Sequence, residues 1–119
     1  MKRVLLAILV AVASIDAFGA SVVKLVREPG TVAFSLKQGF GVQKDGKHEL
    51  TFTAVSTGKT LLTLKNFNGS TAVEDKKYYS KLAPVTLPKD AGRVRVAGRI
   101  FYCSFEQKFC SVQRVDEEI

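Results

Sequence analysis

The stretch RVRVAGRIFYCSFEQKFCSVQRV, residues 93–115, decides how this chain is read. It holds two apolar-rich runs, 93–103 and 109–115, with Cys103 closing the first and Cys110 near the start of the second. In the first run Val94, Val96, Ile100 and Tyr102 alternate with Arg93, Arg95, Arg99, Phe101 and Cys103. That is the two-residue period of a strand with one buried face. A turn near Glu106 and Gln107 makes the runs an antiparallel hairpin that pairs 103 with 110, 101 with 112 and 99 with 114. Glu-Gln suits a type I′ turn poorly, so a longer loop over residues 105–108 is expected. Opposed residues in such a ladder have Cα atoms about 4.5–5.5 Å apart, within reach of a disulfide. The alternation puts Cys103 on the outer face with Phe101 and the arginines, unless a bulge at Gly98 inverts the phase.

The chain upstream of this hairpin also reads as strands. Residues 22–27 and 31–36 are apolar-rich runs separated by Pro29-Gly30, a type II turn pair. Residues 49–55 alternate, with Leu50, Phe52 and Ala54 on one face. Thr57-Gly58 leads into a run over 60–67. Asn68-Gly69 predicts a type I′ hairpin returning through residues 70–73. Residues 74–81 are charged and read as a loop. Pro84 and Pro88 bracket a short strand, and residues 116–119 read as a frayed acidic tail. About seven or eight short strands joined by Gly, Pro and Asn turns predict an all-β antiparallel sandwich.

The ends and the composition narrow the class. Lys2 and Arg3 precede an apolar run, residues 4–13, which is too short to span a bilayer. Ala17 and Gly19 then supply a small-residue cleavage site. Residues 1–19 read as a cleavable export signal and residues 20–119 as one domain, periplasmic or secreted, with no membrane span after cleavage. The formal net charge is +7. The bases are scattered apart from the stripe Arg93, Arg95 and Arg99, a basic face open to a polyanion. Without interleaved aromatics, nucleic acid is not an expected partner. His48 is the only histidine and reads as a surface residue, so no metal site is expected. No nucleophile motif, carboxylate pair or phosphate cradle stands out, and no cofactor is implied.

That leaves the cysteines. In a small exported domain such a pair is either a structural staple or a thiol–disulfide couple open to exchange. Their C-x6-C spacing is not that of thioredoxin-like proteins.

The segment from Ala91-Gly92-Arg93 through Val115, with Phe101-Tyr102-Cys103 and Phe109-Cys110, resembles the C-terminal hairpin of the N-terminal periplasmic domain of the thiol:disulfide interchange protein DsbD. Leu36-Lys37-Gln38-Gly39-Phe40 is similar to that domain's entry, an extended residue followed by polar residues, glycine and an aromatic, and Tyr79-Ser80-Lys81-Leu82 with Pro84-Val85-Thr86 is similar to its late strand. The likeness covers most of residues 32–116. It implies an immunoglobulin-like sandwich in which Cys103 and Cys110 pass reducing equivalents to a thioredoxin-like or other exported redox protein. The family's pair is slightly closer in sequence, and residues 1–119 hold no counterpart of its membrane conduit or thioredoxin-like domain. Tyr78, Tyr79 and Phe109 are the residues expected to shield the pair. Glu74-Asp75 with Tyr78-Tyr79, or Phe67, would supply the family's aromatic cap.

Overall fold

The computed structural model describes residues 21–119, and the export signal read at residues 1–19 lies outside them. Ten strands follow in order: β1 Val23–Glu28, β2 Thr31–Leu36, β3 Phe40–Gln43, β4 Glu49–Ala54, β5 Thr60–Leu64, β6 Gly69–Thr71, β7 Tyr78–Leu82, β8 Val85–Thr86, β9 Val94–Ser104 and β10 Phe109–Glu118. All pairings are antiparallel and no helix occurs among the described residues. A three-stranded sheet, β1-β2-β8, packs on a seven-stranded sheet in which β5-β4-β9-β3-β7-β6 run in order and β10 joins β9. The predicted all-β sandwich is therefore the architecture observed.

β9 is the spine. One edge pairs with β10 along nearly its whole length. The other edge pairs with β4 over its first half and with β3 at its end. Its alternation survives intact: Val94, Val96 and Ile100 are fully buried between the sheets, against Leu50 and Phe52 of β4 and Val32 of β2. Gly98 does not bulge; it stays in register with both Leu50 and Val115. It has a φ of 151°, and a Cβ there would collide with the Glu49 carbonyl oxygen, so only glycine lets β4 and β9 approach this closely.

Gln113 joins the layers from the inner face of β10. Its Oε1 accepts from the backbone N–H groups of Val22 (3.0 Å) and Val23 (2.9 Å), and its Nε2 donates to the Val23 carbonyl at 2.8 Å. The first backbone groups of the smaller sheet thus find partners across the sandwich.

Three local expectations are overturned. Asn68-Gly69 does not turn a hairpin: β6 pairs with β7, while β5 lies at the opposite edge beside β4. Gly69 serves there because any Cβ would strike the Lys81 carbonyl oxygen. The charged stretch 74–81 is half strand, because β7 begins at Tyr78 and pairs with β3. The acidic tail is not frayed. β10 runs to Glu118, Asp116 and Glu118 face Arg95 and Arg93, and Ile119 exchanges backbone hydrogen bonds with Val94.

Candidate functional site

The β9–β10 hairpin carries the cysteines in the expected register. Cys103 opposes Cys110, Phe101 opposes Val112 and Arg99 opposes Arg114. The turn occupies residues 105–108. It closes with Lys108 N–H donating to the Ser104 carbonyl at 2.9 Å, Gln107 N–H donating to Ser104 Oγ at 3.1 Å, and Lys108 at a φ of 55°. The two sulfurs are joined in a disulfide, with Cα atoms 3.9 Å apart. That is closer than the expected ladder spacing. No free cysteine remains.

The bond lies on the outer face of the larger sheet, as the alternation demands, but it is covered. Gly41 of β3 pairs with Cys103 and so shares its face. A Cβ on Gly41 would sit 2.5 Å from Phe105 Cζ and 2.8 Å from Tyr78 Cβ. These two aromatics meet edge to face, ring centroids 5.6 Å apart, and roof the site. Glycine at 41 leaves the space into which that roof settles. The shielding is unequal: Cys103 is 4% exposed, whereas Cys110 is exposed at the free edge of the sheet. A cleft of about 480 Å³ opens there, lined by Glu74, Asp75, Tyr78, Cys103, Ser104, Phe105, Lys108 and Cys110.

Of the residues expected to shield the pair, Tyr78 lies at the cleft. Tyr79 turns to the other face and packs against the core. Phe109 opposes Ser104 on the face away from the sulfurs and is 43% exposed, so it covers nothing. Phe105 takes that place. The hairpin loop brings it over Gly41, and Phe105 N–H donates to the Gly39 carbonyl at 3.0 Å. Phe67, the other cap candidate, is buried edge-on to Phe34 and His48 and never reaches the disulfide. Glu74 and Asp75 do line the cleft, held by a turn in which Tyr78 N–H donates to the Asp75 carbonyl and Lys77 N–H to its carboxylate.

Two polar residues behind the sulfurs escaped the sequence reading. Gln43 donates from Nε2 to Cys103 Sγ at 3.3 Å. His48, expected at the surface, is 3% exposed. Its Nε2–H donates to the Gln43 carbonyl at 2.6 Å and its Nδ1 accepts from Phe101 N–H at 3.0 Å. Burial lowers its pKa from the ordinary 6.5, while the bond to Gln43 pulls it upward. His48 therefore sits as a neutral ring that locks the β3–β4 loop to β9.

The arginine stripe is not bare. Arg93 pairs with Glu118, Arg95 with Asp116 at 2.5 Å, and Arg99 with Glu49 at 3.6 Å. A polyanion would have to displace these carboxylates. Among the described residues, no cluster of His, Cys, Asp and Glu is arranged to hold a metal ion, and no helix is long and apolar enough to cross a membrane. No protein-family model, curated protein or solved structure matches this chain.

Proposed function

We propose that this protein is an exported thiol–disulfide relay module, periplasmic or secreted, whose Cys103–Cys110 couple exchanges electrons with a thioredoxin-like partner. The observation that carries this reading is the unequal cover of the bond. Cys110 is open at a sheet edge, Cys103 is buried, and the Phe105–Tyr78 ring pair stands on the Cys103 side, over Gly41. A bond that only cross-links needs no such asymmetry, whereas an exchanging bond needs one reachable sulfur. The resemblance to the DsbD N-terminal domain supports this reading, as do Glu74, Asp75 and Tyr78, the residues expected for a cap, which line the cleft beside the cysteines.

The step is a two-electron exchange. A partner thiolate attacks Cys110 Sγ and forms a mixed disulfide, and the electron pair of the broken bond leaves on Cys103 as a thiolate. The partner's second thiol loses its proton and attacks its neighbour's sulfur, releasing Cys110, which takes up a proton. The partner ends oxidised and this couple reduced. The reverse sequence hands the electrons on.

The test is exchange with a reduced thioredoxin-like dithiol protein, with trapping in single-cysteine variants whose remaining thiol is first converted to a mixed disulfide with thionitrobenzoate, which the attacking partner thiolate displaces. The Cys103→Ser variant, which keeps Cys110, should capture the partner, and Cys110→Ser should not. The couple's reduction potential should lie above about −300 mV. A lower potential with no trapped complex would leave the second reading, a staple. The short closed loop, with a sequence separation of 7, favours that reading to the extent that removing the bond costs about 2–3 kcal/mol of stability.

A further inference from the structure

Reduction of this disulfide creates a problem at Cys103. The residue is only 4% exposed, so water solvates a thiolate there poorly. The charged groups lining the cleft divide: Lys108 favours a thiolate, while Glu74 and Asp75 oppose it. One polar group reaches the sulfur directly, the Gln43 side-chain amide at 3.3 Å. Gln43 opposes Tyr78 in the β3–β7 ladder and so lies on the sulfur's face, beneath the roof. Its backbone is also held, because the buried His48 ring donates to the Gln43 carbonyl at 2.6 Å and is itself anchored to Phe101 N–H. The N–H donor is thus built into the sheet.

We infer that Gln43 stabilises Cys103 as the leaving thiolate, and so directs attack to Cys110 and sets the ease of opening the bond. This deepens the relay reading and rests on it. When the bond breaks toward Cys103, the departing sulfur gains full negative charge 3.3 Å from an N–H donor. A hydrogen bond to the charged form lowers a thiol's pKa, and a thiol of lower pKa leaves faster. Breaking the bond in the other direction would put the charge on exposed Cys110, away from the Gln43 amide.

The test isolates one thiol. In Cys110→Ser protein, Cys103 ionisation is followed by ultraviolet thiolate absorbance against pH, with Gln43 intact and with Gln43→Leu or Gln43→Glu. Gln43→Leu should raise the midpoint by about one pH unit, a roughly tenfold loss of thiolate at fixed pH. Gln43→Glu, which places a carboxylate at the sulfur, should raise it at least as far. With both cysteines present, Gln43→Leu should slow reduction by dithiothreitol. A midpoint unchanged in both variants overturns the inference. Should either variant fail to fold, the side-chain amide resonance of Gln43 in Cys110→Ser protein decides instead: it must shift with the Cys103 midpoint, and a flat response rules the donor out. These readouts use no protein partner. Failure of exchange with the thioredoxin-like protein would sink the relay alone, and failure here would sink the role of Gln43 alone.

Discussion

His48 and Gly41 show how much of this site hangs on single residues. His48 is neutral in the fold, because both ring nitrogens have partners and a second ring proton would face the Phe101 N–H. Its folded pKa lies below the ordinary 6.5, so the unfolded chain takes up the proton first as pH falls. The contribution of His48 to stability is whole above about pH 6.5 and is lost as pH falls from there through the lower folded value. With one histidine in the chain, thermal melts between about pH 7 and about pH 5 should show a falling melting temperature, and His48→Gln should flatten that slope. Gly41 tests the roof. The methyl of Gly41→Ala must push Phe105 and Tyr78 aside, since Tyr78 Cβ is not the end of a flexible arm. Reduction of the disulfide by dithiothreitol should become several-fold faster, at a stability cost of about 1 kcal/mol. An unchanged rate would show that the aromatic pair does not guard the bond.

Among the elements, β10 does more than its sequence announces. Its first half presents the reachable sulfur, Gln113 clamps β1, and its last residues close the sheet edge over Val94. Deleting residues 116–119 removes the backbone pair between Ile119 and Val94, the partners of Arg93 and Arg95, and the packing of Ile119 on the core. Urea unfolding of the truncated chain should show a loss of about 1–3 kcal/mol. A frayed tail would have cost nothing. The hairpin itself was legible because it is local: a two-residue period, two cysteines and a turn specify its register together. The pairing of β6 and the start of β7 were not legible. Asn68-Gly69 carries the letters of a type I′ turn, but the strand before it pairs with β4 at the far edge, so no returning partner exists. The Lys76-Lys77 charges hid the start of β7, whose place is set by pairing with β3.

For the molecule as a whole, the charge pattern separates two kinds of partner. The net charge of +7 suggests attraction to polyanions, yet the arginine stripe is matched by Glu49, Asp116 and Glu118. All three pairs are largely exposed, each worth at most about 1 kcal/mol, so added salt should shift the melting temperature little. Retention on heparin should be weak and gone by roughly 0.15 M salt. Tight binding that survives such salt would revive the polyanion reading.

The sequence alone determined the all-β class, the inward face of β9 and the register of the cysteine pair. Those depend on alternation and spacing between near neighbours, which the chain writes out directly. The tertiary structure decided which sulfur is buried, that Phe105 and not Phe109 covers it, and that Gln43 and His48 stand behind it. β3 lies some sixty residues before Cys103 and meets it only because both pair into one sheet. Burial and donor geometry at the sulfur arise from that long-range pairing, and no local pattern encodes it.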